Sequence, residues 1–380
     1  MKWERIIPFE TEPIQNEAWV CTSHGKEIRN NVDVRHGKEI DILSLKVNMV
    51  EDFSQRISDT RKSRTKIYQN RENLEKVLHC PICNKKSDDA IEKLNIYGAR
   101  YCKCLECSHY FVLYRPNEIS IREFYKVNKE YQSTYADKRT LRTRVEQVVT
   151  PKAKYLIEQY KKIYGRPPRS ILDVGAGSGH FVHSCRQLGL VCEGIEISDL
   201  GRTFAKEYFD IDLIDQDFTK VANQYEYDIV TFWGVIEHVT QPVEMLKTAT
   251  NSLGNEGMIV ADVPRWNCFS TAVHQALPTS VVRHLDPIDH LQCFSDSSLA
   301  TAFYLGGFDT VAAWYFGMDA YELLTQTSFI LGENTVIEKM GQHLPIFQEK
   351  LDQSKLSDFM VFVGIPNKRS QRKTDNLSTV

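Results

Sequence analysis

Two pairs of cysteines have the most specific spacing of reactive side chains in this sequence. Cys80 and Cys83 form one C-x-x-C pair, and Cys104 and Cys107 form a second pair after 20 intervening residues. Each pair can offer two thiolates to one tetrahedral ion, so the two pairs together complete a four-cysteine zinc site. A closed site of this kind has no open position for a substrate, which predicts a structural Zn²⁺ ion. Cys102 lies outside the symmetric spacing and is expected to remain a free thiol.

The distribution of cysteines and charge bounds the class of protein. Five of the ten cysteines fall between positions 80 and 107, and such clustering favours metal ligation over disulfides in a reducing compartment. The sequence begins with polar and charged residues and contains no apolar run of about 18 residues, so we expect a cytoplasmic protein without a transmembrane segment. The net charge of −3 gives no general attraction to nucleic acid.

A glycine-rich turn that follows an apolar strand is the second segment with chemical meaning. Gly175, Gly177 and Gly179 alternate with other residues directly after Asp173 and the strand. Glycines at such positions let the backbone turn tightly and let a ligand approach without a Cβ in the way. The dinucleotide-binding fingerprint requires G-x-G-x-x-G, but its third glycine position is occupied here by His180.

An acidic residue at the end of the next predicted strand helps to decide which kind of ligand the glycine-rich turn binds. Glu196 lies 17 residues beyond Gly179, where a carboxylate can accept hydrogen bonds from both ribose hydroxyls of an adenosine. Alone, this acid would also suit NAD. Together with Asp173, it resembles the class I S-adenosylmethionine-dependent methyltransferases, whose first motif is (D/E)-x-G-x-G-x-G. In that family the loop packs against the methionine part of the cofactor, and the acid of the second strand holds the ribose.

Three later segments continue this resemblance, which covers about residues 150–365. Asp217-Phe218 follows the third predicted strand, where family members contact the adenine edge. The segment 227–239 matches the fourth strand with its loop, and the segment 289–295 is similar to an H-L-x-x-F-[ST] segment of small-molecule methyltransferases. The cofactor contacts implied by the resemblance are Asp173, Gly175, Ala176, Gly177, Gly179, Glu196, Ile197, Asp217, Phe218 and Trp233.

The elements that must position these residues follow from the hydrophobic pattern. From residue 170 onward, strand-like apolar runs alternate with helical patterns, which predicts a parallel sheet with helices on both faces. We therefore expect an α/β, Rossmann-like, seven-stranded methyltransferase sheet, preceded by a small zinc ribbon and an N-terminal helical extension. The predicted strands are Ser170–Val174, Val191–Ile195, Ile211–Ile214, Tyr227–Phe232, Met258–Val263, Phe308–Tyr315 and Phe359–Ile365.

The chain divides into five predicted parts. The first part contains a predicted strand over Ile40–Val47 and a predicted long helix from about Met49 to Leu78. A helical stretch from about residue 320 to 356 is expected between the last two strands. The parts are an N-terminal extension (1–78), a zinc ribbon (79–116), a helical linker (117–168), a class I methyltransferase domain (169–366) and a disordered tail (367–380).

Two histidines are candidates for general-base catalysis. Methyl transfer from a sulfonium is an in-line displacement, so the protein must align the acceptor and, for hydroxyl or carbon acceptors, remove a proton. His238 follows the fourth strand and His290 lies in the loop after the fifth strand, and Glu237 could orient either imidazole. The structural alternatives are that His238 braces the following helix and that His290 fixes its loop.

The order of domains suggests a class of acceptor. A zinc ribbon, a helical linker and a methyltransferase domain in this order resemble bacterial enzymes associated with surface polysaccharide, lipopolysaccharide and sugar-nucleotide biosynthesis. The resemblance implies a small-molecule or glycan acceptor, such as a sugar nucleotide or a lipid-linked sugar. Residues 1–78 are not part of that pattern.

Two other hypotheses are open. Some ribosomal RNA guanine methyltransferases also place a four-ligand zinc module before the same fold, which would make the chain an RNA base methyltransferase. Their module is compact and N-terminal, however, and methyltransferases of exocyclic amines usually carry an (N/D/S)-P-P-(Y/F) loop where this chain has Phe232-Trp233-Gly234-Val235. A non-catalytic scaffold is disfavoured by the intact glycine loop and by Glu196.

Overall fold

The computed structural model describes residues 1–6, 15–23, 25–46, 53–117, 120–121, 137–221, 226–277, 283–332 and 335–367. Its strands are β1 (Trp3–Ile6), β2 (Asn16–Ser23), β3 (Lys26–His36), β4 (Leu74–Lys76), β5 (Ile91–Ile96), β6 (Ala99–Lys103), β7 (Tyr110–Val112), β8 (Tyr114–Pro116), β9 (Ser170–Val174), β10 (Val191–Ile195), β11 (Tyr227–Trp233), β12 (Leu253–Pro264), β13 (Gln292–Cys293), β14 (Phe308–Phe316) and β15 (Phe359–Pro366).

Most helices of the described residues pack around one large sheet. They are α1 (Ile42–Leu45), α2 (Phe53–Gln69), α3 (Thr150–Tyr164), α4 (His180–Gln187), α5 (Asp199–Phe209), α6 (Phe218–Val221), α7 (Pro242–Ala249), α8 (Phe269–Ala276), α9 (Asp296–Gly306), α10 (Asp319–Leu331), α11 (Thr335–Met340) and α12 (Leu344–Gln353). A helical turn at Leu141–Thr143 and a π-helical segment at Arg144–Val149 lead into α3.

The large sheet has the order β1-β2-β3-β14-β15-β12-β11-β9-β10. The strands β10, β9, β11 and β12 are parallel, and β15 runs antiparallel between β12 and β14. This arrangement confirms the predicted α/β methyltransferase fold, but the sheet has nine strands rather than the seven predicted, because β1, β2 and β3 join it. The predicted strand Ile211–Ile214 is wrong as a strand, because the structure forms only one bridge there, between Ile195 and Ile214.

Side chains of the central strands alternate between two cores, one on each face of the sheet. In β9, Leu172 and Val174 join one buried cluster, whereas Ile171 joins the other. Successive side chains of the antiparallel strand β15 also alternate between the two clusters, because neighbouring residues of a strand point to opposite faces of the sheet. Both faces are therefore covered by helices, and ligand access is left to the edge at the strand ends.

The N-terminal extension contributes three strands to the large sheet. The strand β3 pairs in parallel with β14, and β2 and β1 follow it as antiparallel neighbours. Trp19 of β2 is 1% exposed and packs against Phe362 of β15, with ring centroids 5.0 Å apart. The predicted strand Ile40–Val47 is wrong: residues 42–45 form the single-turn helix α1, capped by the Asp41 side chain, and Val47 lies outside the described residues.

The predicted long helix is shorter than expected. The helix α2 ends at Gln69, and the chain then forms β4, which pairs antiparallel with β8. Positions 49–52 of the prediction lie outside the described residues. The predicted helical stretch near residues 320–356 is divided into α10, α11 and α12, since α10 ends at the left-handed Gly332.

The cysteine-rich segment forms its own small sheet, with the order β13-β7-β6-β5. The strand β13 comes from the loop after β12, so this small sheet is completed by the part of the chain that also forms the large sheet. His109 reinforces the junction, since its Nε2 lies 2.8 Å from Gln292 Oε1. Of the predicted linker and tail, the parts at 118–119, 122–136 and 368–380 lie outside the described residues. In the described parts of the chain, no helix is long and apolar enough to cross a membrane.

Candidate functional site

A cleft of about 430 Å³ lies at the carboxyl ends of β9, β11 and β12. The glycine loop after β9 forms one side of it, and the histidine-bearing segments 234–238 and 283–290 form another. The helix α2 and the segment after β3 close the remaining wall. The cleft therefore lies at the edge of the sheet where open α/β folds bind ligands.

The glycine loop is packed tightly on one side and open on the other. Gly175, Gly177 and Gly179 all have left-handed backbone angles, with φ of 74°, 55° and 75°. A Cβ on Gly175 would lie 2.6 Å from Val235 Cγ2, and a Cβ on Gly179 would lie 2.8 Å from Ala205 Cβ. A Cβ on Gly177 would meet nothing within 4 Å. The bare side of the loop is thus available to a ligand, as the sequence predicts.

Asp173 is held inside the site rather than exposed to solvent. Its Oδ1 accepts a hydrogen bond of 2.7 Å from Thr231 Oγ1, and the residue is buried. Burial raises the pKa of Asp173 to about 7, although the Thr231 bond and the charge of Lys152 oppose that rise. Asp173 also contributes to the cleft wall, next to Gly175 and Ala176.

Glu196 is anchored to the glycine loop. Its two carboxylate oxygens accept hydrogen bonds of 2.7 Å each from the backbone N–H groups of Gly177 and Ser198. The residue is 7% exposed, and burial raises the pKa of its carboxyl group against these hydrogen bonds. Ile197, the next residue, is 71% exposed. These hydrogen bonds tie Glu196 to the glycine loop and to the N-cap residue of α5.

Two other predicted cofactor residues lie away from the cleft wall. The Asp217 side chain accepts hydrogen bonds from the backbone N–H and the hydroxyl of Thr219, so it caps the short helix α6. Phe218 is buried against Phe232, with the rings 5.7 Å apart and edge to face. Of the ten predicted cofactor residues, five line the cleft: Asp173, Gly175, Ala176, Gly177 and Trp233. The other five, Gly179, Glu196, Ile197, Asp217 and Phe218, do not line it.

Trp233 lies in the cleft beside an ion pair that the sequence did not reveal. Lys152 Nζ lies 2.5 Å from Asp262 Oδ2 and 4.3 Å from the centroid of the Trp233 ring. Asp262 Oδ1 also accepts a hydrogen bond of 2.5 Å from the Gly234 backbone N–H. Asp262 is the last acid of the predicted fifth strand, and that position was the available signal for it.

His238 and His290 lie together, with ring centroids 5.2 Å apart. His290 Nδ1 lies 2.6 Å from the carbonyl oxygen of His284, and His238 Nδ1 contacts the carbonyl oxygen of Asp289. A carbonyl oxygen can only accept, so Nδ1 of His290 carries the proton and its Nε2 holds a lone pair. The neutral His290 imidazole is thus oriented to accept a proton through Nε2, whereas the His238 ring hydrogen-bonds the backbone of both Asp289 and Gly234.

The electrostatics of this group favour neutral forms. Burial, and next the charge of His290, lowers the pKa of His238 to about 3, and burial also lowers the pKa of His290. Glu237 is 1% exposed, and burial raises the pKa of its carboxyl group well above the usual value. The ligand atoms of these three side chains lie within 4.8 Å of one another, which is close enough to share one cation.

The helix α2 enters the site through a buried ion pair that the sequence analysis missed. Arg64 donates to both carboxylate oxygens of Asp286 at 2.9–3.2 Å. Tyr68 donates to the Pro287 carbonyl oxygen at 2.5 Å. Arg64 follows the buried Ile57 by seven residues, so it lies on the same helix face. That spacing was the signal that this basic residue faces the protein interior.

The four predicted cysteine ligands converge. Their sulfur atoms lie within 4.8 Å of one another, and the Cys80–Cys107 and Cys83–Cys104 Sγ distances are both 3.6 Å. A tetrahedral ZnS₄ site with bonds of about 2.3 Å requires sulfur separations of about 3.8 Å. These residues therefore fit a tetrahedral metal ion. Cys102 is fully buried and is not part of the group.

The two C-x-x-C turns have the same backbone geometry. Residues Asn84 and Ser108, which follow the second cysteine of each pair, adopt φ of 59° and 60°. Their N–H groups donate at 3.0 Å to the carbonyl oxygens of Cys80 and Cys104. Two equivalent turns that face each other present four thiols to one point.

Comparison with known proteins identifies the catalytic part of the chain. Residues 146–313 match a family model described as a methyltransferase domain. A ubiquinone biosynthesis O-methyltransferase from Glaesserella parasuis serovar 5 (strain SH0165) is 23% identical over 116 residues. This match covers 28% of the chain, and the chain spans about half (48%) of the length of that relative.

Solved structures with a similar arrangement include three methyltransferases. The plantazolicin methyltransferase BpumL in complex with SAH has 16% identity and a TM-score of 0.38, over 66% of this chain and 99% of that chain. A magnesium protoporphyrin IX methyltransferase from Synechocystis PCC 6803 with bound SAH has 10% identity and a TM-score of 0.43, over 66% and 100%. A SAM-dependent methyltransferase from Archaeoglobus fulgidus has 16% identity and a TM-score of 0.38, over 60% and 99%.

TM-scores of this size carry no inference about acceptor or mechanism. The assignment depends instead on the family-model match, the sheet order and the glycine loop, which all fall on the same part of the chain. Residues 146–313 therefore match a methyltransferase domain, and their parallel strands and glycine loop form part of an α/β sheet.

Proposed function

We propose that the chain transfers a methyl group from S-adenosylmethionine to a sugar carried on a nucleotide or a lipid. The observation that carries the proposal is a cleft with a bare glycine loop on one side and the oriented His290 imidazole on another. A cofactor seated on the loop would direct its sulfonium towards an acceptor placed beside the histidines. The assignment of a sugar as the acceptor depends on the order of the predicted domains in the sequence.

The cofactor side of the proposal assigns the ribose to Glu196. Its carboxylate is already oriented by two backbone N–H groups, and each carboxylate oxygen has a further lone pair for a ribose hydroxyl. Asp217 and Phe218 are assigned to the adenine edge, and Trp233 is assigned to the methionine end of the cofactor. When bound, S-adenosylmethionine supplies an electrophilic methyl group, and the protein aligns the acceptor with it.

The acceptor side of the proposal assigns the general base to His290. A general base is most effective when its pKa is close to the pH at which the enzyme operates. The pKa of about 3 therefore makes His238 a weak base near neutral pH. His290 keeps Nε2 available, since its Nδ1 proton is bound by the His284 carbonyl oxygen. Its main chain is fixed by the zinc module, where the Tyr101 hydroxyl donates to the His290 carbonyl oxygen at 2.8 Å. His238 and Glu237 then serve to exclude water and to position His290.

We also propose that Cys80, Cys83, Cys104 and Cys107 bind one structural Zn²⁺ ion. The module around them is too small to be stable on a core of its own, and a four-thiolate site contributes on the order of 10 kcal/mol to folding. The ion would hold β5, β6 and β7 as a platform, and that platform carries Tyr101.

Substitution of Glu196 should weaken cofactor binding without unfolding the protein. Glu196→Ala removes two hydrogen bonds to a charged acceptor, and we expect the affinity for S-adenosylhomocysteine to fall by about 2–4 kcal/mol in titration calorimetry. Glu207→Ala, an exposed change on α5, is the matched control and should bind like the unmodified protein. An unchanged affinity in Glu196→Ala would reject the ribose assignment, and binding of NAD instead would reject the methyltransferase proposal.

Substitution of His290 should slow turnover far more than it changes cofactor affinity. Loss of a general base lowers turnover by about 10² to 10⁴. His290→Ala should show this loss with a panel of sugar nucleotides, whereas the exposed His343→Ala should not. Because the pKa of His290 is lowered from 6.5, its basic form persists below pH 6.5, and the rate should fall only in more acidic buffer. Methylation of ribosomal RNA but of no sugar nucleotide would favour the alternative acceptor.

Elemental analysis should find about one zinc ion per chain. Cys83→Ser removes one of four thiolates and should lose the metal, together with part of the thermal stability of the zinc module. Cys102→Ser is the matched control, because Cys102 is buried nearby but lies outside the sulfur group. Loss of zinc in Cys102→Ser with retention in Cys104→Ser would show that the ligand set is different.

A further inference from the structure

Two lysines of the N-terminal extension line the cleft. Lys38 follows β3 and Lys46 follows α1, in a segment that is brought to the site by the pairing of β3 with β14. Both side chains are half-buried. Lys38 Nζ lies 4.0 Å from the centroid of the Phe316 ring, at the carboxyl end of β14.

These two lysines differ in their partners from three other cations of the cleft. Lys152 is paired with Asp262 at 2.5 Å, and Arg64 is paired with Asp286 at 2.9 Å. Arg283 contacts the carboxylates of Glu322 and Asp358. Within the described ranges, neither Lys38 nor Lys46 has a carboxylate oxygen within 4.0 Å.

The surroundings of both ammonium groups disfavour their charge. Burial lowers the pKa of Lys46 to about 7, and the positive charges of Arg144 and Arg283 lower it further than Asp358 and Glu322 raise it. Burial also lowers the pKa of Lys38 well below its usual value, and Lys152 adds to that effect. A half-buried ammonium group without an anion is unfavourable, and an anion beside it restores its charge.

The carboxyl groups in the cleft compensate the charge of the Lys38 and Lys46 ammonium groups only in part. Burial raises the pKa of Asp173 to about 7 and that of Glu237 well above the usual value, so both carry less negative charge near neutral pH. Asp262 and Asp286 already have cationic partners. The cleft acids therefore offer little negative charge to the wall formed by the N-terminal extension, where an anion would restore the charge of Lys38 and Lys46.

The position of this wall places it on the acceptor side. From β14 to β9 the sheet passes through β15, β12 and β11, and four strand spacings of about 4.8 Å separate the two strand ends by about 19 Å. The glycine loop follows β9, whereas Lys38 lies over the end of β14. A ligand that reaches the lysines must therefore extend across the cleft, beyond the cofactor loop.

We propose that Lys38 and Lys46 bind an anionic group of the methyl acceptor, either a phosphate or a carboxylate. The inference depends on the proposed methyl transfer, because it assigns one end of the cleft to the cofactor. An oxyanion beside either ammonium group would fix the far end of the acceptor, and the atom to be methylated would then lie nearer His290. The N-terminal strands would thus serve to carry a substrate-binding wall into the site.

The test uses the full chain saturated with S-adenosylhomocysteine, titrated with inorganic pyrophosphate in one series and with succinate in another at constant ionic strength. We expect one of the two anions to bind, and its identity distinguishes a phosphate-bearing acceptor from a carboxylate. The Lys38→Met/Lys46→Met double variant should bind that anion about tenfold or more weakly, since charge-assisted hydrogen bonds are lost. The exposed Lys154→Met is the matched control and should bind it normally.

Three outcomes would overturn the inference. They are that neither anion binds, that the double variant binds the anion like the unmodified chain, or that it loses affinity for S-adenosylhomocysteine by the same factor. The last result would assign the lysines to the cofactor. The Lys38→Gln/Lys46→Gln variant provides the same comparison if the methionine variant unfolds. Failure of the unmodified chain to bind S-adenosylhomocysteine would instead reject the proposed function, before any anion is added.

Discussion

The backbone of the glycine-rich loop passes between two neighbours that leave no room for side chains. Val235 lies behind Gly175, and Ala205 lies behind Gly179. The start of α5 is equally close, because a Cβ on Gly201 would lie 2.5 Å from the Gly177 carbonyl oxygen. One side of the loop is therefore in close contact with neighbouring residues, and its other side has no side chains. The position of Glu196 depends on this packing, since its carboxylate binds the Gly177 N–H.

The rest of the chain completes the cleft around that loop. The small sheet of the cysteine-rich segment takes β13 as its outer strand and fixes the main chain of His290 through Tyr101. The helix α2 is fixed by the buried pair of Arg64 and Asp286, and such a pair is sensitive to loss of either partner because the other charge stays buried. Elements from outside the large sheet thus help to build the cleft, on the side that we propose for the acceptor.

Local patterns predicted the central strands and the loop because their signals lie within short stretches. The apolar run before Gly175 and the alternation in β15 follow directly from burial on both faces. The N-terminal strands could not be predicted in the same way, because β3 pairs with residues 312–315 and no local pattern specifies so distant a partner. The alternation at 40–47 was misleading, since a single helical turn also buries Ile42 and Leu45.

The central claim is that one cleft holds the cofactor on the glycine loop and the acceptor beside His290. A crystal structure of the chain with bound S-adenosylhomocysteine tests it most directly. The account predicts ribose hydroxyls within hydrogen-bonding distance of Glu196 and a sulfur atom whose open side faces the histidines. A cofactor bound elsewhere, or with its sulfur turned away from His238 and His290, would contradict the account.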